Sequence, residues 1–223
     1  MPKIKQLLFD CDGVLVDSEF LACHLMANML SPYGSSTSAE EIMIKYVGRK
    51  DYEIVEILRQ QQGLDLPLDF MEHYVKDLDA QLAEHVQAIP NIDQVLSNLH
   101  LPKAVVSNSH WSRIVTSLKR NNLLRFFEEE KIFSADLAQA AKPDPRIYRF
   151  ALEKVNCQAA EAIVVEDSPT GVAAAHGAGI KVIGFLAASH AAPDQEVKLR
   201  ENGAWKIAHS SEELLHILRE EIA

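Results

Sequence analysis

The chain has 223 residues, 48% apolar and 24% charged, which is enough to bury a sizeable core as one large domain or two modest ones. Its formal net charge of −10 and pI near 5.4 exclude a general attraction to nucleic acid or to an anionic membrane, so an anionic substrate has to be met locally. Three cysteines, Cys11, Cys23 and Cys157, show no C-x-x-C pairing, and the odd count fits reduced thiols better than a disulfide framework. No apolar run reaches membrane-spanning length, and the segment from Met1 to Gly13 has neither an extended apolar stretch nor a small-residue cleavage site. A cytoplasmic monomer with no membrane or nucleic-acid partner is the expectation.

Ile4, Leu7, Leu8 and Phe9 form a short apolar run that ends in Asp10-Cys-Asp-Gly13, the pattern of a strand covered on both faces and closed by a turn. After Asp17 the spacing becomes helical. Phe20, Leu21, Leu25, Met26, Met29 and Leu30 recur at three and four residues, with Asp17 or Ser18 placed to cap the first turn. Ser38-Ala-Glu-Glu41 reads as a capped helix start with Val47 and Gly48 near its end. Further helices are predicted over Tyr52–Gln62 and from about Leu68 to His85. The stretch 18–86 therefore reads as helices only, a bundle inserted after the first strand, with 1–17 and 87–223 forming the rest.

From Gln87, a return linker, the pattern alternates. Strands are predicted at Lys103–Ser107, Lys131–Ser134, Ala162–Glu166, Ile180–Ile183 and Trp205–Ile207. Helices are predicted over Trp111–Asn121, from Pro145 through Val155, over Pro169–Gly177 and over Ser211–Glu221, with Ala135–Ala141 a weak stretch between. Such alternation implies an α/β fold with a doubly wound, Rossmann-like parallel sheet and an inserted α-helical domain.

Four polar clusters follow predicted strands: Asp10 with Asp12, Ser107 with Asn108, Lys142, and Glu166 with Asp167. In a parallel sheet these strand ends share one edge, so the clusters would converge. Carboxylates suit a hard divalent cation, while an ammonium, a hydroxyl and backbone amides suit phosphate oxygens, which points to metal-assisted phosphoryl transfer. Each residue also has a plain reading. Ser107 can cap the helix near Trp111, Asp167 can cap the next, Lys142 can be a turn lysine, and Cys11 is a small packed residue with its side chain directed away from the aspartates.

Asp10-Cys-Asp-Gly-Val14, Ser107, Lys142-Pro143 and Glu166-Asp-Ser168, in this order, resemble the four motifs of the haloacid dehalogenase-like hydrolases, nearest to the sugar phosphatases and β-phosphoglucomutases. The resemblance implies Mg²⁺ as cofactor, a small phosphorylated metabolite as substrate, and the helical insertion as a mobile cap. It implies Asp10 as nucleophile forming an aspartyl phosphate, and Asp12 as general acid and base. Asp10, the Asp12 backbone carbonyl and Asp167 would hold the metal, with Glu166 binding it directly or through water. Ser107 and the Asn108 amide would hold phosphate oxygens, and Lys142 would offset charge on Asp10. The Gly48-Arg49-Lys50 turn resembles the family's specificity loop, with Arg49 meeting a second anion or sugar hydroxyls.

Two positions depart from the pattern. Val14 stands where many members carry Thr, which removes one hydroxyl near the nucleophile. Ala22 stands where the β-phosphoglucomutases carry a histidine, and His24 should face elsewhere. The implied activity is hydrolysis of a sugar or sugar-acid phosphate. A phosphosugar mutase and a non-catalytic phosphate- or metal-binding module are the alternatives.

Overall fold

The apolar run before Asp10 forms β1 (Gln6–Phe9), every residue of which is buried in the computed structural model, which describes residues 3–46, 49, 51–188 and 194–222. A two-residue strand β2 (Val16–Asp17) leads into α1 (Glu19–Leu30), α2 (Ala39–Lys45), α3 (Asp51–Gln62) and α4 (Phe70–His85), and the chain returns through β3 (Gln87–Ala88). There follow α5 (Ile92–Ser97), β4 (Lys103–Ser107), α6 (Trp111–Arg120), β5 (Ile132–Ser134), α7 (Ala135–Ala138), α8 (Arg146–Lys154), β6 (Ala162–Glu166) and α9 (Pro169–Gly177). β7 (Lys181–Phe185), α10 (Gln195–Glu201), β8 (Lys206–Ala208) and α11 (Ser211–Ile222) complete the chain.

Six strands form one parallel sheet in the order β5-β4-β1-β6-β7-β8. Leu8 of β1 pairs with Ala104 on one side and Val164 on the other, so β1 lies where the winding reverses, and ligands in such sheets bind beyond the carboxyl end of that strand. Successive side chains point to opposite faces. Leu7 and Phe9 enter the larger apolar cluster, which continues into the helices of residues 19–85, while Leu8 enters the other with Val106, Val164 and Val182. Each fully buried Leu, Ile or Val contributes roughly 1.5–3 kcal/mol, which fixes the register that aligns the strand ends. Helix α9, rich in Ala and Gly, buries Val172, Ala174 and Ala175 completely against the sheet.

Between β2 and β3 the described residues form helices and connecting turns alone, as the spacing predicts. Helix α2 starts with the expected box: the Ser38 hydroxyl accepts from the Glu41 amide, and the Glu41 carboxylate accepts from that of Ser38. Val47 and Gly48, read as its end, lie outside the described residues. Helix α4 packs on α6, where Arg113 Nε donates to Asp79 Oδ1 at 2.6 Å and Arg120 Nε to the Glu84 carbonyl at 2.8 Å.

Several expectations are corrected. Gln87–Asn91 is not only linker, since β2 and β3 pair antiparallel, Val16 opposite Ala88. The weak stretch after β5 contains α7, started by the Ser134 hydroxyl accepting from the Leu137 amide. Ser18 occupies the N-cap position of α1 but makes no side-chain cap bond there: its backbone is already helical, φ −84° and ψ −27°, where a capping residue is extended, and its hydroxyl points to Asp12.

Candidate active site

Asp10 follows the last residue of β1, and its amide continues the ladder by donating to the Val165 carbonyl at 3.0 Å. Its carboxylate therefore projects over the carboxyl edge of the sheet. Oδ1 accepts from the Cys11 amide and faces the Lys142 ammonium, both at 2.7 Å, and neither contact uses Oδ2. The same ammonium stands 2.5 Å from Glu166 Oε1, at the end of β6. Lys142 is therefore no exposed turn residue. Its side chain is 2% exposed, and Asn108 clamps its backbone, accepting from the Lys142 amide at 2.7 Å and donating to its carbonyl at 3.2 Å.

Glu166 is fully buried and its oxygens are engaged on all sides. Oε1 accepts from the Tyr148 hydroxyl at 3.0 Å, and Oε2 accepts from the Ser168 amide at 3.2 Å and hydroxyl at 3.0 Å. Space for these carboxylates exists because glycines lie behind them. A Cβ on Gly171 would fall 1.8 Å from Glu166 Oε1, and one on Gly13, whose φ is +78°, would fall 1.9 Å from Asp167 Oδ2. Asp167 does not cap α9; Ser168 does, accepting from the Gly171 amide. The Asp167 carbonyl accepts from Gln195 Nε2 at 2.9 Å.

Carboxylate oxygens of Asp10, Glu166 and Asp167 lie within 4.8 Å of one another. Three carboxylates against one ammonium leave a formal charge of −2 in a buried site, which a divalent cation matches, and all the donors are hard oxygens. Burial first, then the negative charges of Glu166, Asp167 and Asp12, raise the Asp10 carboxyl well above the ordinary range, despite Lys142. Burial opposes the charge on Lys142, but Asp10 and Glu166 outweigh it and the ammonium is held more firmly than usual. One lysine is thus fully committed, yet insufficient for its three neighbours.

Asp12 is set differently. It is half-buried, with Oδ1 accepting from the Ser18 hydroxyl and Oδ2 from the Ser109 hydroxyl, each at 2.7 Å. Ser107, the last residue of β4, places its hydroxyl 3.5 Å from the same Oδ2 and accepts from the Ser109 amide at 3.0 Å; it does not cap α6, whose N-cap is His110. Cys11 turns away into the apolar core and is 1% exposed.

A cavity of about 280 Å³ opens over these groups. Its floor includes Asp10, Asp12, Ser107, Asn108, Lys142 and Asp167, and its far wall includes Ala22, Arg49, Asp51, Leu78, Leu82 and Arg113. Arg49 thus reaches the cavity, while Gly48 and Lys50 of the same turn lie outside the described residues. Ala22 lines the cavity, whereas His24 packs on the Phe20 ring, 4.3 Å between centroids. Sequence reasoning missed Ser18, Ser109, Tyr148, Asp51 and Arg113. Only Ser109, beside Ser107 at a strand end, carried a signal that could have found it.

The model of haloacid dehalogenase-like hydrolases matches residues 7–185, a span that includes all four polar clusters. A 6-phosphogluconate phosphatase of Escherichia coli is 32% identical over 194 residues, 86% of this chain and 87% of that protein. A haloacid dehalogenase-like protein of unknown function from Agrobacterium tumefaciens superposes with a TM-score of 0.90 at 31% identity, covering 99% of this chain and 100% of that one. A family hydrolase from Deinococcus radiodurans, solved with bound phosphate and sodium, gives a TM-score of 0.85 at 30% identity over 98% of this chain and 96% of its own. With this fold, and these strand-end residues brought to one cavity, the chain belongs to the haloacid dehalogenase-like hydrolases.

Proposed function

We propose that the protein is a Mg²⁺-dependent phosphatase of small phosphate monoesters, sugar or sugar-acid phosphates, working through an aspartyl phosphate. The observation that carries this reading is the buried Asp10–Lys142–Glu166 arrangement with Asp167 beside it, at the carboxyl edge of β1. Asp10, the Asp12 carbonyl and Asp167 would hold the cation. Glu166, both of whose oxygens already take protein donors, would reach it through water. The metal would supply charge neutralisation that lets an anionic phosphoryl group approach carboxylates.

Asp10 Oδ2 attacks phosphorus, while Lys142 and the Cys11 amide hold Oδ1 and fix the angle of attack. The phosphoryl oxygens are taken by the Ser107 hydroxyl and the Asn108 amide, and Lys142 offsets charge on Asp10 and the transferring group. Asp12, steered by Ser18 and Ser109, gives a proton to the leaving alkoxide and then takes one from the water that resolves the aspartyl phosphate. Loose phosphoryl transition states need positioning and electrostatics above all, which these residues provide. The helices of residues 18–86 act as a cap domain on a core of 1–17 and 87–223, and closure over the cavity excludes bulk water.

Ala22 favours hydrolysis over a mutase, because a methyl group at that position of the cavity wall cannot handle a proton. A phosphate- or metal-binding module has no use for the two hydroxyls that orient Asp12. The test is a panel of sugar phosphates and sugar-acid phosphates with and without Mg²⁺, using Asp10→Asn as control. Mg²⁺-dependent release of phosphate, lost by at least about a thousandfold in the variant, is expected; equal hydrolysis by the two proteins refutes the assignment.

A further inference from the structure

The two ends of the cavity differ in kind. The floor, with the cation its carboxylates would hold, can meet one phosphoryl group, but the far end mixes signs: Arg49 and Arg113 face it together with Glu19 and Asp51. Arg113, the more enclosed of the two cations, is already met by carboxylates. Its Nε donates to Asp79 at 2.6 Å, and Asp51 lies close enough for the two charges to influence each other. Asp51 opens α3, is half-buried, and lies near the hydroxyl of Tyr74, which is itself fully buried and donates to the Ala22 carbonyl at 3.3 Å. Arg49 is exposed at the rim, where water and salt weaken its charge.

A second anion on the substrate would have to share Arg113 with Asp79 while lying against Asp51 and Glu19, with like charges opposed in a partly desolvated space. Hydroxyl groups meet no such opposition. Carboxylates accept from them and guanidinium groups donate to them, while Ala22, Leu78 and Leu82 cover the carbon faces of a sugar.

We infer that the far end of the cavity selects an uncharged, polyhydroxylated group, the sugar or sugar-alcohol part of a monophosphate, and that Asp51 determines the discrimination against substrates with a second anionic group. This rests on the phosphatase reading above and narrows its substrate class to the neutral side.

The experiment compares kcat/KM for glucose 6-phosphate and sorbitol 6-phosphate with that for 6-phosphogluconate and fructose 1,6-bisphosphate, at fixed Mg²⁺ and ionic strength, in the parent, Asp51→Asn and Asp51→Glu. The parent is expected to prefer the neutral pair at least tenfold. Asp51→Asn should compress that preference by about tenfold, through a gain on the doubly anionic substrates, and Asp51→Glu should retain it. Because the readout is a ratio within one preparation, partial loss of folded enzyme does not move it. A parent that hydrolyses the doubly anionic pair as well as the neutral pair overturns the inference and leaves the phosphatase reading standing. So does a ratio unchanged, within twofold, in Asp51→Asn. Hydrolysis of none of the four by the parent overturns both.

Discussion

Gly171 and Glu166 are in contact through an absent side chain: a Cβ at position 171 would overlap the Glu166 carboxylate, 1.8 Å from Oε1. Alanine within a helix is ordinarily favoured over glycine by roughly 1 kcal/mol. Here the sign should reverse, because Glu166 is fully buried, held by Tyr148 and Ser168, and has nowhere to go. Gly171→Ala is expected to lower stability by about 1–3 kcal/mol in urea unfolding and to weaken Mg²⁺ activation at least tenfold. A stabilised variant with unchanged metal dependence would show that Glu166 is not fixed as described.

Lys142 offsets part of a three-carboxylate charge with its side chain almost wholly buried. Removing one member of a buried ionic cluster typically costs about 3–5 kcal/mol, since the remaining charges stay desolvated. Lys142→Met should lose about that much in metal-free buffer and lose activity by several orders of magnitude. Millimolar Mg²⁺ should return part of the stability but not the activity. Urea midpoints with and without the cation measure the first, and initial rates the second.

The metal-free site also sets a pH dependence. The folded state raises the Asp10 carboxyl, through burial and then its acidic neighbours, so the stability linked to its proton is complete below the ordinary carboxylate range. It declines as pH rises through the raised value. A divalent cation should reverse the loss at neutral pH. At a concentration of a hundred times its Kd it adds about 2.7 kcal/mol, or about 5–10 °C in Tm for a chain of this size. Thermal scans at pH 7 with EDTA and with Mg²⁺ test this, and Asp167→Asn should remove most of the difference.

Burial, followed by the charges of Glu19 and Asp51, pushes the Cys23 thiol up to about 12, and burial raises Cys11 well above its usual value. At pH 8 a thiol of that kind is ionised at roughly one part in ten thousand, and the thiolate is the form that is alkylated. Iodoacetamide at pH 8 should label Cys157, which is half-buried, and spare Cys11 and Cys23 until the chain unfolds. Peptide mass spectrometry reads the order. Because the fold favours the neutral Cys23 thiol, its contribution to stability is full below about pH 8.5 and falls as pH approaches about 12.

Asp10, Ser107 and Glu166 were legible in the sequence because each ends, or directly follows, a short apolar run, and register does the rest. Lys142 was harder, separated from β5 by a short helix that Ser134 starts, and nothing local distinguishes it from a surface lysine. Tyr148 reads as one more apolar residue on a helical face, and only three dimensions show its hydroxyl under Glu166. The strands β2 and β3, two residues each, are too short for alternation to register. Arg113 and Asp51 sit on separate helices whose approach follows from packing, not from spacing.

The hydroxyl that leaves α1 uncapped has an effect of its own. Ser18 is the last residue before the helical excursion, and it is tied to the side chain of Asp12, three residues beyond the end of the central strand. Any swing of α1 away from the sheet must stretch or break that tether and leave Asp12 with the Ser109 hydroxyl as its one partner at 2.7 Å. The position of a whole helix is thereby coupled to the setting of one carboxylate in the cavity.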